Sequence, residues 1–86
     1  MTITISVTKA DISQGGRAMC KLCPIARAVR RIEGLESAEI SSTSLWPGRK
    51  ATDMPIPLPE IARNFILRFD NCKPVEPFTF VMEIPD

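Results

Sequence analysis

The two ends of the chain show the clearest alternation of apolar and polar residues. A period of two residues runs through residues 2–8 and again through residues 78–84, and it is typical of a strand with one buried face. We therefore predict two strands that place their apolar stripes on the same core. The apolar positions are Ile3, Ile5, Val7, Phe78, Phe80, Met82 and Ile84, and the polar positions of the opposite face are Thr2, Thr4, Ser6, Thr79 and Glu83.

Two segments between these strands have helical spacing. A helix is predicted to begin at Pro24, directly after Cys23, because proline at the first helical position forfeits no hydrogen bond, and to end at Gly34. A second helix is predicted to begin near Pro59 by the same logic. The buried stripes are predicted to be Ile25, Ala28, Val29 and Ile32 in the first helix and Ile61, Ala62, Phe65, Ile66 and Phe69 in the second. Leu67 lies nearly opposite the second stripe, so it is expected to be exposed and is a candidate contact residue.

The remaining segments are predicted from capping and turn residues. Residues 8–14 are predicted to form a short helix, with Thr8 as its cap and Asp11 three positions later in a weak form of the capping box. Residues 36–46 are predicted to form one or two strands, and the proline-rich residues 47–59 an extended loop. The inward positions between 36 and 46 are expected to be Ala38, Ile40 and Trp46.

This order of elements predicts a single α+β domain over residues 1–86. We expect two layers, with a mostly antiparallel sheet of three or four strands that carries the two amphipathic helices on one face. A core of this size is only marginally stable, so a homodimer or a structural metal is a reasonable expectation.

Composition restricts the function more than it restricts the fold. The 86 residues are 44% hydrophobic and 24% charged, which is typical of a globular domain, and they include neither His nor Tyr. Without His the chain lacks the usual proton shuttle and the commonest metal ligand, so we predict neither an enzyme nor a cofactor. No apolar run is long enough to span a membrane, and no secretory signal is visible at the start, so a cytoplasmic location is predicted.

Three cysteines give the only recognisable chemical spacing. Cys20 and Cys23 form a Cys-x-x-Cys pair, and Cys72 lies near the end of the second predicted helix. They are candidate zinc ligands, but a four-coordinate site needs one more ligand. They are also candidate redox thiols, since Cys23 begins a helix near Lys21 and Arg27. We favour a third interpretation, in which the cysteines are small packing residues and no metal is bound.

The net charge of +1 conceals an uneven distribution. Residues 17–31 contain five basic residues and no acidic one, whereas the remainder of the chain carries a net charge of −4. Such a segment favours binding of an anion, such as a nucleotide, a nucleic acid or an acidic protein surface. The absence of interleaved aromatic residues argues against nucleic acid. The alternative is an ordinary solvated helix face.

Four short segments carry a resemblance to a known group of proteins. They are Val7-Thr8-Lys9-Ala10-Asp11-Ile12, Cys23-Pro24-Ile25-Ala26-Arg27-Ala28, Arg68-Phe69-Asp70 and Lys73-Pro74-Val75-Glu76-Pro77-Phe78. In these segments the chain resembles small, uncharacterised proteins encoded by bacteriophages and prophages. The resemblance implies an origin in a phage or prophage genome and a location in the cytoplasm of a bacterial host, but it implies no activity.

Together these observations predict a non-enzymatic phage-type binding protein. Its expected partner is a host or phage protein, on which it acts as an inhibitor or modulator. The candidate binding residues are Lys21, Cys23, Arg27, Arg30, Arg31, Trp46 and Leu67. One alternative is a binder of a small anionic ligand such as a nucleotide, and a further alternative is a zinc- or thiol-dependent module that uses Cys20, Cys23 and Cys72.

Overall fold

A computed structural model describes residues 2–16, 22–48 and 54–85 of the chain. The candidate residues Cys20 and Lys21 lie outside these described residues. In chain order the elements are β1 (Thr2–Val7), α1 (Lys9–Gln14), α2 (Pro24–Arg30), β2 (Glu39–Ile40), β3 (Ser44–Trp46), β4 (Ile56–Pro57), α3 (Glu60–Asp70) and β5 (Phe78–Glu83).

The two terminal strands pair with each other in an antiparallel ladder. Ile5 lies opposite Phe80 and Ile3 opposite Met82, so both apolar stripes fall on one face, as predicted. The core side chains of this face are almost completely buried. The other face carries the predicted polar residues, together with Val81, which is 57% exposed.

The helix α1 begins with the capping box predicted from the sequence. The Oγ1 atom of Thr8 accepts a hydrogen bond from the backbone N–H of Asp11, and the Asp11 carboxylate accepts one from the backbone N–H of Thr8. Two backbone donors that the first helical turn would otherwise leave unpaired are thereby satisfied.

The helix α2 begins as predicted but ends earlier than predicted. Pro24 occupies its first turn after Cys23, whereas Arg30 and not Gly34 is its last residue. The chain beyond Arg30 continues in turns with hydrogen bonds of i to i−3 spacing, such as that from Ile32 to Val29. These tighter turns replace the predicted last helical turn, and Gly34 adopts the positive φ of 91° that glycine tolerates best.

The middle of the chain forms a second sheet of three short antiparallel strands in the order β2, β3, β4. The predicted loop over residues 47–59 therefore contains a strand, β4, which pairs with β3. Ala38 and Ile40 are buried as predicted, but Trp46 is 38% exposed, and its predicted inward position is wrong. Because Leu45 is buried in β3, strand alternation turns the adjacent Trp46 to the opposite face.

The helix α3 begins after Pro59, and its buried stripe is almost the predicted one. Ala62, Phe65, Ile66 and Phe69 are buried, whereas Ile61 is 53% exposed, so its predicted burial is wrong. Successive residues are separated by about 100° around a helix, and Ile61 lies about 40° outside the arc from Phe65 to Ile66.

Cys72 follows α3 and does not pack in the core. Its side chain is exposed and its φ is 59°, a left-handed conformation that is typical of a residue ending a helix. The packing role predicted for Cys72 is therefore wrong, whereas Cys23 is buried as that interpretation requires.

One cluster of buried side chains unites the helices with both sheets. From the first sheet come residues such as Ile5 and Phe80, from the second sheet Leu45, and from the helices Val29 and Phe65. The predicted α+β class is confirmed, and the described strands are divided between a sheet of two and a sheet of three.

Candidate functional site

The basic residues of α2 are organised around one buried carboxylate. Asp11 lies in α1 and its side chain is only 1% exposed. An isolated buried carboxylate is strongly unfavourable, so it requires hydrogen-bond donors and a positive charge nearby. These are supplied by Thr8, which caps the helix of Asp11, and by two arginines of the α2 region.

Arg31 holds this carboxylate with both of its Nη atoms. Its Nη2 atom lies 2.7 Å from Oδ2 of Asp11, and its Nη1 atom donates to Oδ1. The same Nη2 also donates to the backbone carbonyl of Ser6 at 3.1 Å. A bidentate pair of this kind fixes the guanidinium plane as well as its position.

The pKa of Asp11 reflects this environment. Burial alone raises the pKa of a carboxyl group, but the hydrogen bonds from Arg31 and Thr8 outweigh it and lower the pKa of Asp11 to about 2. The same contact raises the pKa of Arg31. Asp11 therefore remains ionised at physiological pH and neutralises part of the basic surface.

The Arg27 side chain makes fewer hydrogen bonds than the Arg31 side chain. Its Nη2 atom donates to the side-chain carbonyl of Gln14 at 3.1 Å, and its Nε atom lies 3.5 Å from Oδ1 of Asp11. That Nε atom is buried and donates no hydrogen bond to the described residues. The side chain as a whole is 32% exposed, and it lines an open groove at the surface.

The Arg30 side chain has no hydrogen bond or ion pair within the described residues. It lies with Leu22, Arg27 and Arg31 around an open groove of about 540 Å³, which we call the arginine groove. Three guanidinium groups and one carboxylate leave this region with a net charge of about +2. The combination of an apolar side chain with several arginines is suited to binding a group that carries negative charge.

Cys23 caps α2 beside this groove. Its Sγ atom accepts a hydrogen bond from the backbone N–H of Ala26 at 3.3 Å, and only 7% of the residue is exposed. The sulfur thereby takes the place that a hydroxyl or carboxylate oxygen usually holds at a helix start. This contact and the burial of the side chain give Cys23 a structural role in α2.

The described residues contain no group of three or more His, Cys, Asp or Glu side chains that could hold a metal ion. Cys72 follows α3, whereas Cys23 begins α2. The predicted alternative of a zinc- or thiol-dependent module also uses Cys20, which lies outside the described residues.

The structure does not bring all the predicted binding residues together. Arg27, Arg30 and Arg31 share the arginine groove, whereas Leu67 and Trp46 do not line it. Leu67 is 64% exposed on α3, and Trp46 is partly exposed on β3 opposite Glu39. The apolar candidates therefore belong to surfaces separate from the basic one.

Sequence reasoning missed three residues of the site, namely Asp11 as the acceptor for Arg31, Gln14 as the partner of Arg27, and Leu22 as the apolar wall. Asp11 was assigned only as a capping residue of its helix. No local pattern around Asp11 indicates that Arg31, 20 residues later in the chain, binds it.

Comparison of the chain with protein-family models, with curated proteins and with solved structures finds no match. Within the described part of the chain, no helix has the length and apolar character needed to cross a membrane. The functional argument therefore depends on the geometry of the arginine groove and of the other exposed surfaces.

Proposed function

We propose that the chain is a non-enzymatic binding domain that recognises an acidic surface of another protein through the arginine groove. The observation that carries this proposal is the convergence of Arg27, Arg30 and Arg31 on one groove beside the apolar Leu22. Carboxylates accept paired hydrogen bonds from guanidinium groups, and a buried apolar contact adds affinity at the centre of such an interface.

The chemistry of the groove favours binding over catalysis. Arginine remains protonated at all physiological pH values, so it does not exchange protons with a substrate. The chain contains no His, and the Asp11 carboxylate that binds Arg31 is engaged by Arg31 and Thr8. Charge recognition is the function that these groups support best.

Preorganisation also supports recognition at this groove. Asp11 fixes Arg31, and Gln14 holds Arg27, so both guanidinium groups have already lost much of their rotational freedom before a partner arrives. Immobilising a flexible side chain on binding costs about 0.5–1.5 kcal/mol, and a prearranged side chain reduces this cost.

The nature of the partner is proposed from the resemblance to phage and prophage proteins. On that basis the partner is a protein of the bacterial host or of the phage, met in the host cytoplasm, and the domain acts on it as an inhibitor or modulator. A small protein without catalytic groups can act in this way by covering a functional surface of its target.

The experiment that tests this proposal uses the Arg30→Glu variant. Arg30 makes no polar contact with other described residues, so its charge reversal is expected to leave the fold intact. Wild type and variant are used to capture proteins from a bacterial host lysate, and the captured partner is then titrated against both. We expect the dissociation constant to rise at least about tenfold for Arg30→Glu.

The matched control is Lys73→Glu, which makes the same change of net charge after α3, away from the arginine groove. We expect this control to bind like wild type. Recovery of no specific partner, or equal binding by wild type and Arg30→Glu, would refute the proposal.

The three guanidinium groups of the arginine groove also favour a second candidate function, the binding of a small anionic ligand such as a nucleotide. A thermal-shift screen of nucleoside mono-, di- and triphosphates tests this function. A ligand that binds the folded state raises the Tm in wild type and not in Arg30→Glu. Absence of any shift at millimolar nucleotide would contradict it.

A further inference from the structure

The exposed side of α3 includes one contiguous arc of five residues, and the exposed Arg63 lies just outside this arc, about 40° beyond Leu67. Glu60, Ile61, Asn64, Leu67 and Arg68 lie within about 120° around the helix, since successive residues are about 100° apart. All five are exposed, and they lie away from the stripe that α3 buries in the core. We call this set the α3 face.

The α3 face carries two large apolar side chains that are exposed. Leu67 is 64% exposed and Ile61 is 53% exposed. Scattered apolar residues are ordinary on protein surfaces, but here two large ones lie on either side of Asn64, which separates them along the helix. The two residues are placed symmetrically about Asn64, because Ile61 is three positions before it and Leu67 is three positions after it.

The charged residues of the α3 face follow the same symmetry. Glu60 precedes Asn64 by four residues, and Arg68 follows it by four. The Glu60 side chain has no hydrogen bond or ion pair with other described residues. The Arg68 guanidinium donates from Nε and Nη2 to the carbonyl of Pro74, at 3.2 and 2.9 Å, which holds it at the edge of the face.

From this symmetry we propose that the α3 face binds a second copy of this chain. The two helices run antiparallel about a two-fold axis that passes through Asn64. A two-fold axis perpendicular to a helix exchanges positions at equal distances from its centre. Ile61 therefore meets Leu67 of the partner subunit, and Glu60 meets Arg68 of the partner subunit, each contact occurring twice.

Charge complementarity selects this arrangement over its competitors. In a parallel pair each residue would meet its own copy, which places like charges together at both Glu60 and Arg68. An antiparallel pair centred one residue later would place Glu60 against Asp70 of the partner subunit. Of these three arrangements, only the antiparallel pair centred at Asn64 joins opposite charges and apolar residues in the same register.

Two grooves beside α3 provide space for the apolar side chains. One groove, of about 430 Å³, lies between Ile61 and residues 74–78, and the other, of about 480 Å³, lies between Leu67 and residues 42–43. In the proposed register Leu67 of the partner subunit enters the first groove, because it faces Ile61. Ile61 of the partner subunit enters the second groove for the same reason.

This inference is independent of the proposed function. The arginine groove is built on α2, and its lining shares no residue with the α3 face. Dimerisation can therefore fail while the arginine groove still binds its partner, and the reverse also holds.

The first experiment measures the mass of the chain in solution by sedimentation equilibrium over a range of concentrations. We expect a species of twice the 9.6 kDa of one chain. In Leu67→Gln the dimer dissociation constant is expected to rise at least about tenfold, since a central apolar contact is lost twice. The matched control is Val81→Gln, which removes a similarly exposed apolar residue from the outer face of the β1–β5 sheet and should dimerise like wild type.

The second experiment tests the register by charge exchange. Glu60→Lys alone and Arg68→Glu alone each place like charges together at both ends of the homodimer, so each variant is expected to be more monomeric than wild type. An equimolar mixture of the two variants restores an opposite pair at both ends. We expect this mixture to recover the dimer, which an unfolded variant would be unable to do.

Three outcomes would overturn the proposal. The first is a monomer at millimolar concentration of wild type. The second is a dimer that persists unchanged in Leu67→Gln, which would locate the interface elsewhere. The third is a failure of the mixture to dimerise although circular dichroism shows that both variants are folded.

Discussion

Arg31 binds Asp11 through both of its Nη atoms, and Asp11 in turn caps the helix in which it lies. The same arginine donates to the backbone carbonyl of Ser6. One ion pair therefore joins β1, α1 and the end of α2. The segment that looks like a free basic patch in the sequence is, in part, the framework that holds these three elements together.

Replacement of Asp11 by alanine is expected to destabilise the fold strongly. The change removes the capping box and leaves Arg31 and the buried Nε atom of Arg27 without their counterion. We expect a loss of about 3 kcal/mol in the free energy of unfolding, measured by urea denaturation. The control is Glu33→Ala, a change at an exposed carboxylate, which should cost less than about 0.5 kcal/mol. A loss below about 1 kcal/mol for Asp11→Ala would contradict this role.

The stability of the domain is expected to fall in acid because of the same residue. The pKa of Asp11 is about 2 in the folded chain and 3.8 in a model peptide. The folded state thus binds this proton less readily than the unfolded state. The contribution is present in full above about pH 4 and is lost as the pH falls through about 2, at a cost of roughly 2 kcal/mol.

Urea midpoints measured between about pH 2 and pH 6 check this acid dependence. The informative quantity is the difference in unfolding free energy between wild type and Asp11→Asn, because the other carboxyl groups contribute equally to both. That difference should shrink as the pH is lowered. A difference independent of pH would show that the carboxyl group does not titrate as its contacts imply.

Replacement of Cys72 by glycine is expected to stabilise the domain. Cys72 has a φ of 59°, and a residue with a Cβ atom pays a steric penalty of about 1–2 kcal/mol in this region. We expect a gain of about 1 kcal/mol, visible as a rise in Tm of several degrees. The neighbouring Asn71→Gly change is the control, because Asn71 has a negative φ of −94° and should gain nothing. Equal stability of wild type and Cys72→Gly would refute this prediction.

Replacement of Cys23 distinguishes a capping role from a metal or redox role. Serine can accept the same hydrogen bond from Ala26, so Cys23→Ser is expected to retain wild-type stability within about 1 kcal/mol. Cys23→Ala removes the acceptor and should cost about 1 kcal/mol more than the serine variant. Thermal unfolding of both variants measures this difference. The reverse order of stability, or a loss of bound zinc in Cys23→Ser, would contradict the capping role.

Local signals in the sequence were sufficient for much of the fold. The alternation at both ends of the chain predicts β1 and β5, Thr8 with Asp11 predicts the capping box, and Pro24 predicts the start of α2. Each of these features is determined by residues within a few positions of one another. The α+β class follows from their order along the chain.

Contacts between distant segments could not be predicted in this way. The pairing of Asp11 with Arg31 requires α1 and α2 to lie side by side, which no local pattern encodes. Ile61 lies at the border of the apolar arc of α3, where it lines an open groove with residues 74–78 and is left exposed. The exposed position of Trp46 likewise depends on the pairing of β3 with β2 and β4, in which the adjacent Leu45 is buried.

The pairing of β1 with β5 determines when the domain can complete its fold. Thr2 and Glu83 are 81 positions apart in the chain, yet they lie side by side in the ladder. At a synthesis rate of about 5–20 residues per second, roughly 4–16 seconds pass between the synthesis of β1 and that of its partner strand β5. During this interval β1 exposes a β-branched segment without a charge or a proline, which is the kind of segment that self-associates. We therefore expect β1 to be the part of the nascent chain that most needs a chaperone.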